Sequence, residues 1–154
     1  MLPEIDLFYL LVIWRVVLAA LLGFAIGWER RATGSPVRMR IIPLIAMTTA
    51  ALTALGMRMS PADASRILAG LMTGIGFIGA GVIMRSGTEE VRGLTTAASL
   101  WSMSCIAITV GAGYEVLGIV LTLFVYVVIA WNDWPLVTRL RQRRAEKLLE
   151  KEKK

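Results

Sequence analysis

The sequence predicts an all-α polytopic membrane protein of about five transmembrane helices, N-terminus outside and C-terminus cytoplasmic. Three observations predict it. Hydrophobic residues make up 56% of the 154 and mean hydropathy is +0.67. They gather in long blocks instead of alternating, and a bilayer core about 30 Å thick takes roughly 20 apolar residues in helix to cross. A soluble domain of this length has no interior large enough to hide all of those blocks. The basic residues flank the blocks unevenly, and Tyr9, Trp28, Trp131 and Trp134 fall at block boundaries, where amphipathic rings prefer to sit.

The first span is expected over about residues 5–27, ending in the charged stretch Glu29-Arg30-Arg31. Glu4 and Asp6 precede it where a signal peptide would carry positive charge, so it reads as retained. The second runs over about 38–57, broken by Arg58, Pro61 and Asp63. The third covers about 65–84, and the polar loop RSGTEEVRG follows. The fourth covers 94–111. Gly111 and Gly113 make a tight turn, and the fifth covers 114–132, closed by Asp133 and Pro135. Residues 1–135 thus form the transmembrane domain, and 136–154 form a basic cytoplasmic tail lying near the anionic inner leaflet.

Loop charge orients the chain. Arg30, Arg31, Arg38, Arg40, Arg85, Arg92 and eight basic residues of the tail fall on one side, and only Arg58 and Arg66 on the other, a count of 14 against 2. Basic residues in short loops stay in the cytoplasm, which places the C-terminus inside. The net charge of +6 is therefore a membrane-surface signal and not a nucleic-acid one.

Residues 74–81 read GIGFIGAG, and Gly74, Gly76 and Gly79 have the G-x-G-x-x-G spacing. A dinucleotide turn follows a strand, opens a helix and has an acid about 20 residues on. These glycines lie inside an apolar block of helical length, and positions 94 to 99 hold no acid. Small residues let helices approach closely in lipid. Gly23 and Gly27 share that spacing with Gly70 and Gly74. Gly76, Gly79, Gly81 and Gly93 extend the small-residue set. Helices one and three are expected to pack on each other or across a dimer. An unwound segment lining a buried site is the alternative for Gly74–Gly81.

Few polar residues lie at depth. Arg15 is halfway along helix one and should face the protein interior and find an acceptor: backbone carbonyls, or an ion or lipid head group. Glu29 and Arg30 read as a solvated anchor at a helix end or as functional groups. Asp63 reads as a cap for helix three, with Arg66 three residues on. Thr95 and Thr96 open helix four as caps or bond across to helix three, and the other hydroxyls of helix four are assigned to helix–helix hydrogen bonds. Cys105 is expected to be inert and buried. There is no histidine and one cysteine, so a zinc site, a disulfide framework and a Cys–His nucleophile are excluded. The chain reads as no enzyme and as having no cofactor, with magnesium left open as a ligand.

The stretches GFAIGWERR (Gly23–Arg31), DASR (Asp63–Arg66), GIGFIGAGVIMRSG (Gly74–Gly87) and VRGLTTAASLW (Val91–Trp101) resemble the MgtC/SapB family of bacterial inner-membrane proteins. Arg15 also stands where that family tends to carry an arginine. The resemblance implies a multi-pass inner-membrane protein tied to growth under magnesium limitation, with some members supporting survival inside host macrophages. Some members are described as acting on the rotary ATP synthase. It implies marked positions at Glu29, Arg30, Arg38, Asp63, Arg66, Gly74, Gly76, Gly79, Gly81, Arg92, Gly93, Thr95 and Thr96. Two departures stand out. Arg38 is followed by Met39 and Arg40 where the family often has a threonine and a polar residue. The chain also matches the short form, without the ACT-like C-terminal domain of longer members. The function expected is support of magnesium or membrane-energy homeostasis through contacts with other membrane proteins, with the lipid bilayer, a second copy and another membrane complex such as the ATP synthase as partners. The alternative is a magnesium or other cation transporter acting as a dimer.

Overall fold

The computed structural model describes residues 7–32, 39–86 and 90–131. Five helices run in order: α1 (Leu7–Ala32), α2 (Ile41–Gly56), α3 (Pro61–Val82), α4 (Leu94–Gly111) and α5 (Glu115–Ala130). Three of them, α1, α3 and α4, are long and apolar enough to cross a membrane, and α2 and α5 are shorter apolar helices. This is an all-α membrane protein. Between α3 and α4 the expected polar loop contains a small antiparallel ribbon, β1 (Met84–Ser86) with β2 (Glu90–Arg92), in which Met84 faces Arg92.

The helices alternate in direction. Gly23 and Gly27 of α1 lie on Pro43 and Met39, so α1 and α2 are antiparallel. Gly111 at the end of α4 meets Ala50 and Thr53 near the end of α2, so those two run parallel. α1 packs on α2, α4 and α5, and α4 packs on every other helix of the bundle. The core lies between α1, α2 and α4: Leu18, Ala19, Ile26, Ile42, Ala46, Ala50, Leu100, Met103, Ile106, Ala107 and Val110. It is rich in alanine because helices in lipid gain from van der Waals contact between close backbones rather than from escape from water.

α1 does not stop at Gly27. It continues through Trp28-Glu29-Arg30-Arg31, which carries Arg30 round to the bundle interior. α1 also does not pair with α3 within the chain, as the glycine spacing had suggested. Its glycines face α2, where a Cβ on Gly23 would come within 2.8 Å of the Pro43 Cα. α3 stands apart: only Ile75 and Gly79 are buried. A groove of about 470 Å³ opens between α2 and α3, lined by Ile45, Thr48, Leu52, Gly70, Leu71 and Gly74.

Candidate functional site

The polar side chains of the bundle meet in two clusters, one toward each end of α1. At the α4–α5 turn, the Arg15 Nε donates to Glu115 Oε1 at 2.8 Å and its Nη1 to the Gly111 carbonyl at 3.3 Å. The turn has room for this because Gly113 is left-handed, with φ +100, and a Cβ there would lie 2.8 Å from Arg15 Nη2. Glu115 opens α5, where a carboxylate also meets the positive end of the helix dipole. Arg15 thus finds both a carbonyl and a carboxylate, and its charge is compensated inside the protein. The sequence reading anticipated an acceptor for Arg15 but missed Glu115. The available signal is that Glu115 is the single acid between Leu94 and Trp131.

The second cluster lies at the arginine-rich end. Arg30 is buried, at 8% exposure, and its Nη2 donates to Thr96 Oγ1 at 3.1 Å. The Tyr126 hydroxyl of α5 hydrogen-bonds the half-buried Glu29 carboxylate. Arg30 is therefore a buried connector between α1 and α4, and the solvated-anchor reading is corrected for it. Tyr126 was also missed. Arg92 is exposed at the same end, beside Gly93. Arg38 lies outside the described residues.

Gly93 is the N-cap of α4 with φ +93, and a Cβ there would run into the Val82 carbonyl at the end of α3. No hydroxyl caps α4. Thr95 is exposed and Thr96 belongs to Arg30. Three further α4 hydroxyls bond back to their own helix: Ser99 to Thr95 O, Ser104 to Leu100 O and Thr109 to Cys105 O. Such back-bonding satisfies a hydroxyl within one turn, which lipid-exposed or tightly packed helices favour.

At the opposite end, α3 is capped by Ser60 and not by Asp63. The Ser60 side chain accepts from the Asp63 N–H, and its hydroxyl donates to Asp63 Oδ2 at 2.6 Å. Pro61 follows at the first helical position, a residue suited there because its missing N–H has no partner to lose. Asp63 and Arg66 form a long ion pair of 3.5 Å with both groups largely open. The GIGFIGAG segment is helical, which settles the choice against an unwound strand. Within it Gly79 packs on Ala97, while a Cβ added at Gly74, Gly76 or Gly81, or at Gly70 before them, would meet nothing within 4 Å. Among the described residues, no group of three His, Cys, Asp or Glu side chains converges.

The chemistry of these clusters is that of helix attachment. They contain cations, carboxylates and hydroxyls in mutual contact, each joining α1 to α4 or α5. An uncharacterized protein of Haemophilus influenzae is 33% identical over 149 residues, covering 90% of this chain and 62% of that protein. Protein SapB of Bacillus subtilis is 28% identical over 80% of this chain and 57% of its own length. Protein MgtC of Salmonella typhimurium is 43% identical over 66% of this chain and 43% of its own length. The chain thus spans about two-fifths to three-fifths of the length of these relatives. No solved structure matches. The model of the MgtC family matches residues 16–134, which contain Glu29, Arg30, Glu115 and all of α2 to α5 and begin one residue after Arg15, and the chain belongs to the MgtC family.

Proposed function

We propose that the protein is a multi-pass protein of the bacterial inner membrane that supports adaptation to magnesium limitation or membrane energetics by contacting other membrane proteins. It carries out no catalysis. The observation that carries this reading is the use made of its intramembrane charge. Arg15 and Glu115 occupy each other, Arg30 holds Thr96, and Glu29 holds Tyr126. These groups join α1 to α4 and α5, so the intramembrane charge is used in holding the helices together. Magnesium is a hard cation that takes oxygen ligands in near-octahedral geometry. Among the described residues, no three carboxylates converge to supply such a set.

The resemblance supports the magnesium and membrane-energy setting, and a membrane complex such as the ATP synthase is the class of partner it suggests. The contact surfaces are the apolar helix faces that the bundle leaves open, above all α3. The reading is tested by magnesium and proton flux in proteoliposomes, with Glu29→Ala and Asp63→Ala compared to the parent chain. Flat traces from folded, inserted protein are the expected result. Flux that falls in either variant would make the chain a cation transporter instead.

A further inference from the structure

We infer that the groove between α4 and α5 holds one acyl chain of an anionic phospholipid, with the lipid phosphate at Arg92 and Thr95. The inference adds a ligand to the reading above and stands whichever membrane protein the chain contacts.

The groove follows from how the two helices meet. Near their tight turn they touch: a Cβ on Gly118 of α5 would run into the Val110 side chain of α4. Toward the other end they leave a groove of about 270 Å³. Thr95, Ala98, Ser99 and Ser102 form its α4 wall, and Phe124 and Val128 rise on the α5 side. The four α4 residues are small and recur at helical spacing, so they share one face. The groove is open to lipid, since Phe124 is 65% and Val128 73% exposed. From Thr95 to Ser102 it runs about 10 Å along α4, within one leaflet of a core about 30 Å thick. A 10 Å length of helix, about 10 Å across, would fill roughly three times that volume. The groove therefore takes a slender chain and not a helix.

Charge identifies the lipid. The mouth of the groove lies at the arginine-rich end of the bundle. Arg92 is exposed and ends β2, three residues before Thr95. Arg31 and Arg40 are exposed at the same end. Among the described side chains there, Glu29 is the one carboxylate, and Tyr126 already bonds it. The excess is cationic, and basic pockets between transmembrane helices bind anionic head groups. Thr95 is exposed at the mouth, and among the described residues its hydroxyl has no hydrogen-bond partner. A phosphate oxygen accepts from both a guanidinium and a hydroxyl. Trp131, 54% exposed and one residue past α5, sets this end at the depth of the head groups, where indole rings sit.

The test uses the full chain in liposomes of equal phosphatidylglycerol and phosphatidylcholine with matched acyl chains. The protein is released in mild detergent, and its bound lipid is read by native mass spectrometry. Phosphatidylglycerol should be retained at least about tenfold over phosphatidylcholine. Ser102→Phe fills the groove and should lower that retention about tenfold. Arg92→Gln should abolish the preference for phosphatidylglycerol, whereas Arg40→Gln at the same end should keep it. Thermal melts check that each variant is folded. Glycerol 3-phosphate, a phosphate without chains, should not displace the lipid. Equal retention of both lipids by the parent chain, or retention indifferent to Ser102→Phe in folded protein, overturns the proposal. Equal losses in Arg92→Gln and Arg40→Gln would assign the preference to diffuse surface charge and overturn the site. Displacement by glycerol 3-phosphate would make the ligand a soluble phosphate, and a lipid-free dimer that Ser102→Phe dissociates would place a second copy in the groove. Either result overturns the lipid.

Discussion

Arg15 lies eight residues into α1, about 12 Å along the helix axis, at a depth where an uncompensated cation costs at least about 2.5 kcal/mol on insertion scales. Its pairing with Glu115 and the Gly111 carbonyl fixes the α4–α5 turn against α1. Arg15→Met strands the carboxylate, and Glu115→Gln strands the guanidinium. Each should destabilise the folded bundle by about 1–2 kcal/mol, between the small worth of an exposed pair and the larger loss on breaking a buried one, because both side chains are only partly buried. The double variant Arg15→Met/Glu115→Leu should cost less than the sum. Denaturation in mixed micelles measures all three, and additive costs would show that the pair does not couple. Gly93 is the second residue with a sharp expectation. Its φ of +93 and its contact with the Val82 carbonyl leave no room for a side chain. Gly93→Ala should cost roughly 2 kcal/mol from backbone conformation alone, read in the same assay. At this scale the sequence made Arg15 legible because a charge inside an apolar block is conspicuous. Glu115 was hidden because it opens a helix beside a turn, where an acid ordinarily needs no explanation. Arg30 was misjudged for a related reason: α1 runs one turn further than the apolar block does, and that turn decides which way the guanidinium points.

Among the elements, the glycines divide into two populations that composition treats alike. Gly23, Gly27, Gly111 and Gly118 are contact glycines, each facing a neighbouring helix at a distance that a Cβ would violate. Gly70, Gly74, Gly76 and Gly81 are open. The difference predicts opposite outcomes for the same kind of change. Gly23→Val should force α1 from Pro43 and Ala46 and cost at least about 2 kcal/mol, the scale of an overpacked core. Gly76→Ala should lie within about 0.5 kcal/mol of the parent, as for exposed sites with no special contact. Thermal melts in detergent decide it, and equal losses would mean that α3 is packed in the folded chain. The spacing of small residues was legible in sequence, but the identity of the facing helix was not. Gly23 and Gly27 face α2 because the chain returns immediately after α1 and the antiparallel neighbour arrives first. α3 returns on the far side of α2, next to α4. The cap of α3 was legible too, since Ser60-Pro61 is a start signal, but Asp63 drew the assignment as the more acidic residue.

For the whole molecule, the five alternating helices put Arg31, Arg40 and Arg92 at one end of the bundle and Arg58 and Arg66 at the other. α2 and α5, at 16 residues each, are about 24 Å long, short of a 30 Å core. The longer α1 lies alongside both short helices, and α3 lies alongside α2. A short helix thins the bilayer locally or draws its polar ends inward. At the α4–α5 turn the Glu115 carboxylate is met by Arg15 from α1, so a turn drawn inward would carry a compensated charge. If loop charge sets the orientation, the α2–α3 hairpin faces outward and the α1–α2 connection faces the cytoplasm. A cysteine at Met59 and one at Arg40, both on exposed positions in a Cys105→Ser background, test this directly. An impermeant thiol reagent added to intact cells should label Met59→Cys at once and Arg40→Cys only after permeabilisation. The reverse pattern would mean an inverted bundle, and the polar cluster of Glu29, Arg30, Thr96 and Tyr126 would then face a partner on the outer side. Labelling of both positions from outside would mean that α2 does not cross, and the 16-residue helix would have to be read as lying within one leaflet against α1.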